Sequence, residues 1–213
     1  MSEGYEILTL DEVEAAPHRG SNLIPVRHTL GFRPAGVNAW IADAGGQLIP
    51  PHEEDSGNEE LYAVVRGRAT FTVGEETADA PAGTLVYVPP EVFRTAAAAE
   101  DGTIVFAVGG SVGEAFNPGG WDSFALAVGY AQSGRLHEAR AIMAQLIAEK
   151  PDYWPTYYNA GCFEAQAGNA DAAFEHLRRA KELDAGGDSD EYFRGDTDLD
   201  PLREDPRFQE FLS

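Results

Sequence analysis

The sequence predicts a two-domain α+β chain, in which an all-β barrel or sandwich is followed by an all-α domain of helical hairpins. Up to about Phe116, short β-branched runs alternate with turn clusters. From Trp121 to Leu183, Ala-rich stretches place their apolar residues at a helical period. The segment NPGG at 117–120 has the Pro and Gly content of a linker. We therefore assign the domains to residues 1–117 and 118–213.

The β half contains six short runs that are typical of strands. Turn clusters such as DAGG, VGEE, APAG and EDG separate them. Short strands at regular spacing with turn signals between them indicate an antiparallel sandwich or barrel. The runs are LIPVRHTL, GVNAWIAD, ELYAVVRG, ATFTV, TLVYVP and TIVFAVGG.

The composition excludes several classes of partner. The 213 residues carry a net charge of −21, whereas nucleic acids and anionic membrane surfaces both require a basic footprint. No apolar run approaches the roughly 20 residues that span a bilayer, and the acidic N-terminus is unlike a signal peptide. The single cysteine, Cys162, excludes an intrachain disulfide, which fits a reducing compartment. We therefore expect a cytoplasmic protein that binds neither nucleic acid nor membrane.

The helical half contains an internal repeat with an offset of 34 residues, which aligns Leu126 with Ala160 and Gly134 with Gly168. This period and pattern resemble the tetratricopeptide repeat, a helix–turn–helix unit of that length. The resemblance covers roughly residues 120–186, with departures at Ser123 and Glu164, where aromatic residues are usual. Signature positions are occupied by Leu126, Tyr130, Gly134, Ala139 and Pro151 in the first copy and by Tyr157, Gly161, Gly168, Ala173 and Ala180 in the second.

The resemblance implies that the first helix of each repeat lines a concave face. A partner groove would then include Trp121, Phe124 and Tyr158, with Val128, Cys162 and Gln166 beside them. This groove could hold a partner peptide, a second subunit, or the chain's own tail or barrel, because two repeats are fewer than usually form a stable stack. We expect the tail to supply a capping helix and Cys162 to be a small buried residue.

The stretch HEEDSGNEELYAVVRG, residues 52–67, holds one His, several carboxylates and an alternating apolar run that ends on Gly. His52, Glu60 and Gly67 match the first motif of the cupin family, in which a metal-binding His-x-His pair precedes the Glu. The second His of that pair falls on Glu54. Pro81, Gly83 and Pro89 match the second motif, whose usual Gly falls on Glu91 and whose final His falls on Arg94.

The resemblance to cupins covers roughly residues 22–110. It implies a double-stranded β-helix, or jelly-roll barrel, with a central pocket, and it implies a homodimer. Many members are metal-dependent enzymes and others bind ligands without chemistry, so the fold does not give the reaction.

Residues two apart on a strand face the same way, so His52 and Glu54 can point inward together. Glu60 and Tyr62 would form the next inward row, and Arg94 would enter from an opposing strand. Two buried carboxylates are costly unless a positive charge offsets them. One solution is a divalent metal, Fe, Mn or Zn, held by His52, Glu54 and Glu60. The other is no metal, with Arg94 supplying the charge.

Three aromatic residues and one further histidine also belong to the predicted barrel. Trp40, Tyr62 and Tyr87 are expected to be pocket or core aromatics. His28, in the run RHTLGF, is expected on an early strand, where it could face the pocket as a ligand or base or be an ordinary core or surface residue. The predicted ligand pocket is therefore Arg94, Glu60, Tyr62 and His28.

Three functions follow from these patterns. The first is a barrel with a degraded metal site whose pocket binds a small polar or anionic ligand through Arg94, coupled to a repeat domain that binds a protein or a second subunit. The second is a metal-dependent enzyme of the oxygenase or isomerase type that uses His52, Glu54 and Glu60. The third is a structural barrel whose pocket is filled.

Overall fold

A computed structural model describes residues 7–18, 20–54, 57–113, 120–187 and 189–212. The chain divides into two compact units, Met1–Pro118 and Gly119–Ser213. The first unit is built from strands and the second from helices, as the sequence predicts. The predicted linker NPGG lies outside the described residues except for Gly120.

The first unit is a sandwich of two antiparallel sheets. The six-stranded sheet has the order β1-β2-β3-β10-β5-β8 and the four-stranded sheet the order β4-β9-β6-β7. A short 3₁₀ helix, Leu10–Glu12, precedes the strands, and one short helix, α1 at Val26–Leu30, lies between β2 and β3. The strands are β1 Ala16–His18, β2 Ser21–Ile24, β3 Gly36–Ala42, β4 Gln47–His52, β5 Glu59–Arg66, β6 Arg68–Val73, β7 Glu76–Pro81, β8 Leu85–Val88, β9 Arg94–Ala98 and β10 Thr103–Gly110.

Strand β5 shows how the two sheets meet. Its alternate residues Tyr62 and Val64 are each only 1% exposed, and the Tyr62 ring lies 5.7 Å from that of Phe71 on the other sheet. The intervening residues of β5 face outward, as the period-two alternation of a strand requires. The chain turns from β5 into β6 of the other sheet at Gly67, which has a φ of +72°. A Cβ atom at this position would lie 2.5 Å from Thr103 Oγ1. This close approach explains why the motif ends on glycine.

Two sequence expectations are wrong in this unit. His28 lies in α1 and not on a strand, because Pro25 caps a five-residue helix that ends at Gly31 in the left-handed conformation. Tyr87 is neither in the pocket nor in the core, since it lies on the outer face of β8 and is 56% exposed.

The second unit contains two successive helical hairpins. Helix α2 is Trp121–Gln132, α3 Leu136–Glu149, α4 Trp154–Gln166 and α5 Ala170–Leu183. Within the second hairpin, a Cβ at Gly161 would meet Leu177 at 2.6 Å, so a small residue is required for α4 and α5 to approach. Cys162 is buried, as expected.

The C-terminal segment forms three short elements, α6 Ser189–Gly195, a 3₁₀ helix Thr197–Leu202 and α7 Pro206–Leu212. Phe193, Leu199, Leu202 and Phe208 are buried, so the tail completes the apolar interior of the helical unit. None of the helices in the described part of the chain combines the length and apolarity needed to cross a membrane.

Candidate functional site

The two sheets bring four predicted residues together inside the sandwich. His52 is the last residue of β4, and Arg94, the first residue of β9, lies opposite it in the ladder. Glu60 and Tyr62 lie on β5 of the other sheet. The cluster therefore joins both sheets, and period-two alternation on β5 is what aims Glu60 and Tyr62 inward together.

The His52 imidazole is oriented by its own strand. Its Nδ1 lies 2.7 Å from the Pro50 carbonyl oxygen, which leaves Nε2 facing the carboxylates. Nε2 is 3.5 Å from Glu60 Oε2 and 3.9 Å from Glu54 Oε1. Burial alone lowers the pKa of His52, but hydrogen bonding to Glu60 and to Pro50 outweighs it, so the pKa is raised. His52 therefore holds a proton more readily than an ordinary histidine.

Glu60 is the centre of the cluster. Its Oε2 accepts a hydrogen bond from the Tyr62 hydroxyl and lies 3.2 Å from Arg94 Nε. Burial raises the pKa of Glu60, but hydrogen bonds from His52 and Tyr62, together with the positive charges of His52 and Arg94, overcome this, and the pKa is lowered. Burial and the Glu60 charge raise the pKa of Tyr62, so its hydroxyl stays protonated and donates.

Arg94 is the most buried charge in the barrel, with no exposed surface. Its Nη2 donates to the Pro89 carbonyl at 3.2 Å. Although Nε lies close to Glu60, the contact is poorly aligned, and neither Nε nor Nη1 has a hydrogen-bond partner among the described residues. The guanidinium thus acts on Glu60 mainly through its charge.

Glu54 reaches the cluster from a loop. Strand β4 ends at His52, so the predicted strand alternation does not place it. Its carbonyl accepts the Glu91 backbone N–H at 2.9 Å, and its Oε2 lies 3.4 Å from the Asn58 amide nitrogen. Glu91 has a positive φ of 61°, which is uncommon for a residue with a side chain. Sequence reasoning missed Glu91, which lies far from Glu54 along the chain, and Asn58, whose side-chain oxygen also accepts from Ser111 of a distant segment.

The predicted partner groove divides into two parts. Trp121, at the start of α2, is 44% exposed, whereas Phe124 is buried. Phe124 therefore belongs to the interior of the helical unit, and Trp121 is the most exposed apolar residue of the predicted groove.

The α4 part of that groove is contacted by the chain's own tail. The Tyr158 hydroxyl donates to the Asp196 carboxylate. Gln166 Nε2 donates to Asp198 Oδ1 at 2.7 Å. The C-terminal segment thus lies along this face of α4, which is one of the occupants that the sequence allows.

The barrel cluster can be tested for its fit to a metal ion. One ligand atom from each of His52, Glu54 and Glu60 lies within 4.8 Å of the others, which is close enough to converge on a cation. However, the buried Arg94 cation lies 3.2 Å from the same Glu60 oxygen. A divalent ion there would face a repulsion of several kcal/mol, even at an effective dielectric constant of about 20. The donor set therefore suits a divalent ion, but the guanidinium beside it does not.

A family model for the cupin domain matches residues 40–110, which contain the whole cluster. An uncharacterized protein of Streptomyces coelicolor is 40% identical over 84 residues, which are 39% of this chain and 74% of that protein. Residues 40–110 of this chain therefore form a cupin domain. The cupin match stops at residue 110, so the tetratricopeptide resemblance of the helical unit remains a prediction.

Solved cupin structures are also similar to the barrel. A cupin protein from Bacteroides fragilis is 19% identical, covering 54% of this chain and 91% of its own, with a TM-score of 0.43. KdgF from Halomonas sp. is 17% identical, covering 49% and 93%, with a TM-score of 0.42. A putative sugar phosphate isomerase from Acidithiobacillus ferrooxidans is 18% identical, covering 48% and 73%, also at 0.42. Similarity at these identities is similarity of fold, and it does not indicate which reaction, if any, this chain catalyses.

Proposed function

We propose that the cupin unit binds a small polar molecule at His52, Glu54 and Glu60 without a metal ion, and that the helical unit contacts a protein. The observation that carries the proposal is Arg94, fully buried with its Nε 3.2 Å from Glu60 Oε2. A permanent cation at this place offsets the charge that a bound metal would otherwise offset.

The charges of the cluster support a metal-free state. Glu54 and Glu60 supply two negative charges, and Arg94 supplies one positive charge. Because its pKa is raised, His52 supplies a second positive charge more readily than an ordinary histidine. With His52 protonated, the four side chains sum to zero, so no further cation is required for neutrality.

The accessible side of the cluster indicates the ligand chemistry. The side chains of His52, Glu54 and Glu60 are 31%, 27% and 18% exposed, whereas Arg94 has no exposed surface. A ligand would therefore meet carboxylate oxygens first, with Arg94 behind Glu60. Carboxylates accept hydrogen bonds, so hydroxyl or amino groups on a small molecule fit this side best.

Ligand binding can be tested by thermal unfolding against a library of small polar compounds. We expect at least one hydroxyl- or amine-bearing compound to stabilise the wild-type barrel and to lose its effect in His52→Ala. His137→Ala is the matched control, because His137 is an exposed histidine on α3. A library in which no compound stabilises the wild type would instead indicate a structural barrel whose pocket is filled.

A metal-dependent enzyme of the oxygenase or isomerase type is the second candidate, because the three ligand atoms do converge. The same untagged proteins would be analysed for metal content after Fe, Mn or Zn is added back. Near-stoichiometric metal in the wild type and in His137→Ala, but not in His52→Ala, would favour this candidate and contradict the metal-free proposal.

For the helical unit, the support for a protein contact is Trp121 on α2, which remains 44% exposed while the tail contacts α4. A photo-crosslinking residue in place of Trp121 tests this surface, with Tyr153, also on the surface, as the control position. A product specific to position 121, at any mass above that of the chain, would support the contact. Equal labelling at both positions would contradict it.

A further inference from the structure

Strand β3 sends one polar side chain into the sandwich that the cluster around Glu60 does not use. Val37 and Ala39 belong to the buried cluster on the outer face of the six-stranded sheet, and Ile41 packs against it. Because side chains alternate along a strand, Asn38 faces the interior. Its Oδ1 is buried and has no hydrogen-bond partner among the described residues. An unsatisfied buried acceptor costs stability, so its presence in this place requires a physical reason.

Strand β10 provides a floor of small residues beside Asn38. Phe106 and Val108 pack against the same outer cluster. Ala107 and Gly109 alternate with them along the strand and therefore face the interior. The inner side of this part of β10 thus carries nothing larger than a methyl group.

The strand ladders place this floor between Asn38 and Glu60. Ala107 lies opposite Asn38 on β3 and opposite Tyr62 on β5. Two residues further along β10, Gly109 lies opposite Glu60. We call the space over Ala107 and Gly109 the β10 trough. Asn38 borders it on the side of β3, and Tyr62 and Glu60 border it on the side of β5.

Glu60 turns one of its oxygens toward the β10 trough. Its hydrogen bond and ion-pair contacts described above use Oε2. A Cβ atom added to Gly109 would lie 3.4 Å from Glu60 Cγ and 3.8 Å from Oε1, so Oε1 lies over Gly109. Two hydrogen-bond acceptors, Glu60 Oε1 and Asn38 Oδ1, therefore border the same space.

We propose that Asn38 is a ligand-binding residue of this pocket, and that the β10 trough holds a compact neutral molecule with two hydroxyl groups. One hydroxyl would donate to Asn38 Oδ1 and the other to Glu60 Oε1. Strands β3 and β5 are separated only by β10, so their axes lie about 10 Å apart, which leaves room for a molecule of a few carbon atoms. This assignment rests on the proposed function, because the same ligand contacts Glu60, and it adds a binding residue and a ligand class.

Charge and hydrogen bonding both favour a neutral diol over an ion. With His52 protonated, the charges of the cluster already sum to zero, so a charged ligand would disturb that balance. Carboxylate and amide oxygens only accept hydrogen bonds, and a hydroxyl donates to them without carrying a charge. A diol supplies one donor for each of the two acceptors.

Binding is tested on the full chain by NMR titration with cis-cyclohexane-1,2-diol and with cyclohexanol, which lacks the second hydroxyl. We expect the diol to bind the wild type and to bind Asn38→Leu about tenfold more weakly, as the loss of one hydrogen bond requires. Cyclohexanol should bind the wild type more weakly than the diol by a similar factor. Asn22→Leu, at an exposed asparagine on β2, is the matched control and should bind the diol as the wild type does.

Filling the β10 trough provides a second test with a matched pair of variants. Gly109→Ala adds a methyl group at ordinary contact distances from Glu60, so the fold tolerates it while the diol loses room. Gly110→Ala adds the same group to the next residue, which faces the opposite side of the sheet and has nothing within 4 Å. We expect binding of the diol to weaken about tenfold in Gly109→Ala and to stay unchanged in Gly110→Ala.

The stability of the ligand-free protein distinguishes a binding residue from a structural one. Leucine has the branching of asparagine but no unsatisfied acceptor, so Asn38→Leu should raise the midpoint of thermal unfolding by about 4 °C. A lower midpoint would show that Asn38 is a structural residue, satisfied by a water molecule, and would overturn the proposal.

Other results would overturn the proposal while leaving the proposed function intact. One is a compound whose binding requires His52 but not Asn38. Another is cyclohexanol binding as tightly as the diol, and a third is a wild type that binds other compounds but no diol. If no compound of any kind binds the wild type, the pocket is not a ligand site and both proposals fail.

Discussion

Two arginine–glutamate pairs of the described residues, each with a largely buried carboxylate, are built differently. In the helical unit, Arg140 donates from Nε and Nη2 to the two oxygens of Glu164 at 2.9 and 2.8 Å. In the barrel, Arg94 lies 3.2 Å from Glu60 but is poorly aligned with it, and two of its nitrogens have no hydrogen-bond partner among the described residues.

The difference separates a structural pair from a pair in the proposed binding site. The Arg140–Glu164 pair is bidentate, and the Arg140 side chain is 43% exposed, so its remaining N–H groups are open to solvent. The barrel pair shares Glu60 with His52 and Tyr62, and only the carboxylate side is accessible. A buried polar group left incompletely bonded is costly, and such sites are typically functional.

The largest effect is expected from Arg94→Ala. Removing the buried cation leaves Glu60 in a mostly dry environment without its nearest permanent positive charge. Because Glu60 is still 18% exposed, we expect the loss of stability to fall near the low end of that for buried pairs, about 3 kcal/mol. Urea unfolding, with hydrogen exchange of β5 and β9 as the local readout, measures it.

Arg66→Ala is the control for this prediction. Arg66 also pairs with a carboxylate in the barrel unit, Asp11, but the two side chains are 46% and 66% exposed. Exposed pairs contribute at most about 1 kcal/mol. Equal losses in Arg94→Ala and Arg66→Ala would show that the barrel pair is an ordinary surface pair in energetic terms.

An intermediate effect is expected from Arg140→Ala. The variant removes two charge-assisted hydrogen bonds from Glu164, whose side chain is 9% exposed. Because the arginine itself is well exposed, we expect a loss of about 1 kcal/mol, seen in urea unfolding followed by far-UV circular dichroism. Arg179→Ala, which removes an exposed pair with Glu182, is the matched control. A larger loss than in Arg94→Ala would reverse the comparison between the two pairs.

The smallest effect concerns pH. Burial raises the pKa of Glu164, but the hydrogen bonds and charge of Arg140 outweigh it and hold the pKa below its ordinary value of 4.5. A group whose pKa is lower in the folded state stabilises the fold at pH values above its unfolded-state pKa. This stabilisation is lost as the pH falls through the folded-state pKa. Stability that Arg140 confers should therefore be present at neutral pH and shrink below pH 4.5. An Arg140→Ala protein with the same acid dependence as the wild type would contradict this.

Much of the site was predictable because strand alternation is a strong rule. The run ELYAVVRG places Glu60, Tyr62 and Val64 on one face, and the structure shows Tyr62 and Val64 buried there. The same rule also predicted that Glu54 joins the cluster. Glu54 does lie there, but strand alternation is not the cause, because β4 ends at His52. Its place depends on a loop held by the Glu91 backbone, a contact between distant segments that no local pattern encodes.

Several strands lie outside the six runs that the sequence marks as strands, and their local signals are weak. Strand β4 contains two prolines, β7 is polar, and β9, RTAAA, is rich in alanine, which has low strand propensity. They exist because neighbouring strands pair with them. His28 was misassigned for the opposite reason, since the β-branched residues around it suggested a strand, whereas Pro25 and Gly31 bound a short helix.

The structure also accounts for one departure from the tetratricopeptide signature. Glu164 occupies a position where that repeat usually has an aromatic residue. Its carboxylate accepts two hydrogen bonds from Arg140 of the preceding hairpin. An ion pair between α3 and α4 thus occupies the place of an aromatic contact. From the sequence alone, neither residue indicated the other, because they lie 24 positions apart.

The most direct test of the account is a calorimetric titration of Mn²⁺ and Zn²⁺ into the metal-free wild type and into Arg94→His. Position 94 lies opposite His52 in the ladder, so an imidazole there would remove the repelling cation and add a nitrogen donor near Glu60. We predict no saturable binding by the wild type and one ion per chain in Arg94→His. Stoichiometric binding by the wild type that His52→Ala abolishes would contradict the claim that Arg94 takes the place of a metal.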